Sequence, residues 1–113
     1  MRDNSGDPVL NVRMSTAAPA ELSVTHDKDR QRFTATLDGE GEVGHLDYDA
    51  DAITMTILST VVSPAFAGRG FAARLARAAL DYAIEQGQQV VPRCSYIDTF
   101  VDRNPQYAEL IVD

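Results

Sequence analysis

Residues 61–87 read VVSPAFAGRGFAARLARAALDYAIEQG, and the fold turns on this stretch. Phe71, Leu75, Ala78, Ala79 and Tyr82 recur at helical spacing and make one apolar face, which Leu80, Ala83 and Ile84 widen. The many alanines favour a helix and let it pack close to a sheet. Gly87, after Glu85 and Gln86, is a stop signal. Upstream, Ile53 to Val62 is rich in β-branched residues and ends at Ser63-Pro64. A strand therefore runs into a tight turn and then into one long helix.

The turn itself is Ala67-Gly68-Arg69-Gly70, leading into Phe71 and Ala72. The start of a helix presents about four unbonded N–H groups and roughly half a positive charge. Lack of side-chain bulk at 67, 68, 70 and 72 lets a phosphate approach those donors. Arg69 and Arg74 are placed to add charge-assisted bonds at the rim. The same residues suit an ordinary strand-to-helix turn with glycines chosen for geometry, and local spacing does not separate the two readings.

Working outward, Leu22 to His26 begins a strand and Asp27-Lys28-Asp29 turns it. Phe33, Ala35 and Leu37 alternate with Arg32, Thr34 and Thr36, the pattern of a half-buried strand. Asp38-Gly39 suits a hairpin. Val43, His45 or Leu46, and Tyr48 carry a third strand whose phase is ambiguous around Gly44. Asp49 to Asp51 turns the chain into Ile53–Val62. These strands make a four-stranded antiparallel meander. After the helix, Gln89 to Pro92 reads as a strand that the crossover makes parallel to its predecessor. Ser95 with Asp98 three residues later approximates a capping box, predicting a short C-terminal helix from Tyr96 to about Arg103. Asn104-Pro105 ends it, and Tyr107 to Val112 forms a last short element. The class is α+β with a mixed sheet: residues 22–113 form the domain, and 1–21, polar and rich in small residues, read as a flexible tail.

A chain of 113 residues with a formal net charge of −7 is one domain without a general basic surface for nucleic acid. The acidic balance fits a cationic partner, such as an amine. One cysteine excludes an internal disulfide framework, and no apolar run approaches the roughly 20 residues of a membrane span. With no apolar secretory core near Met1, the expected location is cytoplasmic. Two histidines and one cysteine without close spacing predict no metal site. Monomer and homodimer both remain open.

The run from Ile57 to Leu110, with the glycine turn followed by Pro-Arg-Cys-Ser-Tyr (92–96) and Asn-Pro-Gln-Tyr (104–107), resembles the GCN5-related N-acetyltransferases. It is most similar to their short single-domain branch, and the likeness extends upstream to about Leu22. What the resemblance implies is acetyl-coenzyme A at the turn. Backbone amides of Gly68 to Ala72 would hold the pyrophosphate, and Thr60, Val61 and Val62 would pair with the pantetheine arm. An amine would receive the acetyl group; a module that binds coenzyme A with weak or no transfer is the alternative. Two departures stand out. The first position of the superfamily's cofactor motif falls on Ala67, so its polar side chain is lost. Relatives commonly read His-Thr-Glu-Val where this chain has Ser59-Thr60-Val61-Val62, so a general base must come from elsewhere or from a water chain.

Two residues remain as candidates for catalysis. Cys94, between a strand and a helix start, is either an acyl relay, as suggested for this branch, or a small buried hydrophobe. Tyr96 is either a proton donor to the departing thiolate, by analogy with the superfamily, or a packing residue. His26 and His45 fall in strand regions away from the motif and read as structural or surface residues. Glu40, Glu42, Asp47, Asp49 and Asp51 read as solvated turn charges or an amine-attracting rim.

Overall fold

A computed structural model describes residues 21–112. The strands are β1 (Leu22–Asp27), β2 (Arg32–Leu37), β3 (Gly41–Ala50), β4 (Thr54–Val62) and β5 (Gln89–Pro92). Helix α1 spans Phe71–Glu85 and α2 spans Ser95–Arg103, with short 3-10 segments at Pro64–Phe66 and Pro105–Leu110. The sheet order is β1-β2-β3-β4-β5. The first three pairings are antiparallel, and β4–β5, joined through α1, is parallel. The expected α+β architecture is therefore present. The proposed tail lies outside the described residues except for Glu21, whose carbonyl accepts the Asp38 N–H at 3.1 Å.

Two bulges set the phase of the meander. Between β2 and β3 the register passes from Ala35↔Gly44 to Thr36↔Glu42, leaving Val43 unopposed. Between β3 and β4 it passes from Asp47↔Ser59 to Tyr48↔Ile57, leaving Leu58 unopposed. An inserted residue exchanges the two faces of a strand. The first bulge accounts for the ambiguity around Gly44: Leu46 and Tyr48 point to the core, and His45 does not. The second turns Thr60 and Val62 toward the core face and leaves Ser59 and Val61 on the other.

The core lies on one side of the sheet. Phe33, Ala35, Leu37, Leu46, Tyr48, Met55, Ile57 and Val90 meet Leu75, Ala76, Ala79, Leu80 and Ala83 of α1, with Ile97 and Phe100 of α2. Alanines at the centre of the α1 face seat that helix close to the strands. Ile84 does not belong to the face: it lies about 100° past Ala83 around the helix and is 51% exposed. Gly87, at φ +68°, completes a Schellman stop in which Gln88 N–H reaches the Ala83 carbonyl (2.9 Å) and Gly87 N–H the Ile84 carbonyl (3.1 Å). Helix α2 packs beside α1 through the Arg77 guanidinium over the Phe100 ring (5.6 Å). The Tyr107 hydroxyl donates to Asp81 at 2.7 Å, tying the C-terminal segment to the same helix.

Several local expectations shift. Asp51 Oδ1 accepts from Ile53 N–H (2.9 Å) and Thr54 N–H (2.8 Å), so that turn delays β4 to Thr54 and leaves Ile53 exposed. The Ser95–Asp98 capping box does not form, because the helix starts one residue early: Cys94 is the N-cap and Asp98 falls beyond the third helical position. Asn104 closes α2 instead, donating from Nδ2 to the Phe100 carbonyl (2.9 Å). Among the described residues no helix is long and apolar enough to cross a membrane.

His26 stacks on Phe33 (ring centroids 4.0 Å apart), and its Nε2 is bonded to the Tyr48 hydroxyl. Burial, reinforced by Lys28 and opposed by Asp27, holds the imidazole pKa below its ordinary value. The unfolded chain therefore binds the proton more readily. The His26 contribution is complete above about pH 6.5 and is lost as pH falls below that value. We expect the urea midpoint to drop from about pH 7.5 to 5.5, and His26→Gln to flatten that drop.

Candidate functional site

Strands β4 and β5 pair only from Thr54↔Gln89 to Ile57↔Pro92. At that point the Ile57 carbonyl accepts from both Arg93 N–H (3.0 Å) and Cys94 N–H (3.1 Å), and the chain turns away into α2. From Leu58 to Val62 the β5 side of β4 carries no strand among the described residues. This open main-chain edge leads straight into the glycine turn.

The turn gathers donors around an open space. Gly68 (φ +79°) and Gly70 (φ +80°) are left-handed, and a Cβ at either would meet nothing within 4 Å. Gly70 is the N-cap of α1, and the first helical bond runs from Arg74 N–H to the Gly70 carbonyl (3.2 Å). The N–H groups of Phe71, Ala72 and Ala73 precede that bond and have no carbonyl one turn earlier. A cleft of about 280 Å³ adjoins them, lined by Val62, Phe66, Ala67, Gly68, Gly70, Phe71, Ala72, Ala73 and Tyr96. Its side chains are mostly apolar, and its lining includes the first residues of α1, at the positive end of the helix.

The two arginines of the rim differ. Arg69 lies against the rings of Phe66 (5.6 Å) and Phe71 (5.1 Å), two residues that line the cleft. Arg74 donates from Nη2 to the Leu22 carbonyl (3.3 Å), so its side chain reaches toward β1 rather than over the turn.

Tyr96 comes from the first turn of α2, where its ring packs on Phe100 (6.3 Å between centroids) and lines the cleft. Burial, with a smaller contribution from Cys94 and opposition from Arg103, raises its phenol above the ordinary value. The phenol therefore keeps its proton at neutral pH. The half-buried Cys94 packs against the core, with Sγ 3.6 Å from Thr60 Oγ1. Since Thr60 lies on the open segment of β4, both catalytic candidates border the same gap.

His45 corrects the placement inferred from the chain alone. It stands across from Val61 in the β3–β4 register, next to the open segment, and lines a second groove on the face away from the helices. Chain separation hid this proximity, because strand pairing brings residues 45 and 61 together. The acidic residues are also more specific than turn charges: Asp47 takes a bidentate pair from Arg32 (2.6 and 3.1 Å), and Glu42 faces His45 at 3.4 Å.

Fold and cleft together define an N-acetyltransferase-like domain. The chain belongs to the GCN5-related N-acetyltransferase family, whose sequence profile matches residues 32–110. It is 37% identical over 94 residues to Protein NATD1 of Danio rerio, covering 80% of this chain and 86% of that protein. It is 38% identical over 101 residues to Protein NATD1 of Bos taurus, covering 84% and 89%. The solution structure of a GCN5-like protein from Staphylococcus aureus superposes with a TM-score of 0.63 at 20% identity, covering 80% of this chain and 88% of that one. A GNAT family N-acetyltransferase (YhbS) from Escherichia coli, in complex with CoA, gives 0.54 at 17% identity, covering 71% and 65%.

Gly44 keeps β3 against the end of β4: a Cβ there would stand 2.7 Å from the Val61 carbonyl oxygen and 3.2 Å from Val62 Cγ2. Both contacts are with atoms of the strand that borders the cleft. Gly44→Ala is expected to cost about 1–3 kcal/mol by overpacking, read as a lower urea midpoint at unchanged slope.

Proposed function

We propose that this chain transfers an acetyl group from acetyl-coenzyme A to a primary amine, on a lysine side chain or a small molecule. The observation that carries this is the unpaired edge of β4 running into a helix start with free N–H groups and open space above two left-handed glycines. Acetyl-coenzyme A would supply a pyrophosphate for that cradle and an activated acyl group for the gap. The fit is chemical: the N–H groups from Gly68 to Ala72 point a positive dipole end at a diphosphate. Arg69 contributes at the rim. Main-chain groups of Thr60, Val61 and Val62 offer strand-like pairing to an amide-bearing arm and a donor for a carbonyl oxygen as negative charge develops there.

On this assignment the amine attacks the thioester directly, held beside it on the open edge. Tyr96, kept protonated by its surroundings, gives a proton to the leaving thiolate. Cys94 forms a wall of the gap: its thiol is half-buried and faces Thr60 rather than the glycine turn. The acidic surface favours a cationic acceptor.

Ala72→Glu separates ligand binding from folding. A carboxylate in the first turn of a helix is stabilising in itself, yet it occupies the phosphate position with like charge. Thermal stability is expected to hold or rise, while calorimetric affinity for coenzyme A falls roughly tenfold or more. An unchanged affinity would remove the cradle from the mechanism.

Cys94→Ser is nearly isosteric and is expected to leave acetyl transfer, followed by mass spectrometry of the amide, within about threefold. Loss of transfer with coenzyme binding intact would instead make the thiol an acyl relay. One feature favours the second reading, a binding module with little transfer: the open segment Leu58-Ser59-Thr60-Val61-Val62 carries no ionisable side chain. Tight coenzyme A binding without amide formation on any of several amines would decide for it.

A further inference from the structure

The face of β4 away from the helices borders a groove of about 180 Å³ lined by Glu42, Val43, Gly44, His45, Val61 and Ser63. His45 and Val61 are directly opposed across β3 and β4, so they share this face. The imidazole sits between two carboxylates, with Nδ1 3.4 Å from Glu42 Oε2 and Nε2 3.7 Å from Asp47 Oδ2. Asp47 is already paired with Arg32 of β2, which leaves Glu42 as the carboxylate with less compensation. Thr34, opposite His45 on β2, and Val61 and Ser63 on the other side bring no charge. The side chain is 23% exposed: reachable by solvent, yet held in place.

We propose that His45 is the proton acceptor for the incoming amine, a role for which the open segment of β4 has no residue of its own. This assignment rests on the transferase reading above. Near neutral pH a primary amine is an ammonium ion without a free electron pair. An Nδ1–H directed at Glu42 leaves Nε2 to accept one N–H proton through water. The nitrogen pair then forms the C–N bond at the thioester carbon while the C–S bond breaks. A second nitrogen-bound proton is lost as the amide forms, and the departing sulfur is protonated. The products are amide and thiol, and His45 returns its proton to solvent. Two strand spacings of about 4.8 Å, roughly 10 Å in all, separate β3 from an arm lying on the free edge of β4, so the proton crosses through bridging water.

The test uses the full chain with acetyl-coenzyme A and two amines, Nα-acetyl-lysine amide and spermidine. The amide product is followed by mass spectrometry. His45→Gln is expected to keep coenzyme A affinity by calorimetry and to lower kcat/KM by roughly 100-fold or more. Added imidazole should restore part of the lost rate. Glu42→Gln supplies an independent readout: without the carboxylate 3.4 Å from Nδ1 the ring is oriented less firmly, so kcat/KM is expected to fall roughly tenfold at unchanged coenzyme A affinity. A wild-type rate in His45→Gln, or in Glu42→Gln, would overturn the assignment while leaving the transferase reading intact. Coenzyme A binding without acetylation of either amine by the wild-type chain would remove both.

Discussion

The carbonyl of Ile57 is the constraint on which the rest depends. By accepting from both Arg93 and Cys94, it ends the parallel pairing of β4 and β5 after four residue pairs. Had the pairing continued, the remaining half of β4 would be ordinary sheet interior, with its polar groups consumed by a neighbour. Instead those groups stay available, and the bulge at Leu58 rotates the strand so that Thr60 and Val62 share the face of the cleft. The same turn of chain starts α2, which brings Cys94 and Tyr96 to the gap.

Helix α1 supplies the other half of the arrangement, and its seating explains why its start lies at the end of β4. Alanines at 76, 79 and 83 let the helix approach the sheet, while Leu75 and Leu80 fill the space beside them. The Schellman stop closes the far end with its carbonyls satisfied. At the near end there is no side-chain cap, so the N–H groups of the first turn keep their capacity for an external acceptor. A Ser or Asp in place of Gly70 would satisfy them internally.

Much of this was legible in the chain. The spacing of Phe71, Leu75 and Ala79 specified the helix, the alternation of Phe33, Ala35 and Leu37 specified β2, and the glycines at 68 and 70 marked the left-handed turn before α1. What escaped was whatever depends on an inserted residue or a cross-strand neighbour. Val43 and Leu58 each add one residue to a strand, and periodicity alone does not locate such a defect. The proximity of His45 to Val61 follows from the register those bulges create. Ile84 carries the helical spacing of a core residue yet lies just outside the buried arc, whose centre is fixed by the sheet. The Ser95–Asp98 pair misled by a single position, because the helix begins at Ser95 itself.

Among the described residues the helices cover one side of the sheet only, and the side bearing Thr34, His45, Ser59 and Val61 has no second layer over it. A molecule approaching Val61 from that direction is met by a flat, charged ledge instead of an enclosing socket. Shape exclusion is weak on such a surface, so under the transfer proposed above discrimination between acceptors would fall to local charge and to how far the nucleophile protrudes from whatever carries it. Bulk behind the reacting nitrogen would then count for little, and a folded carrier would be admitted on the same terms as a short metabolite.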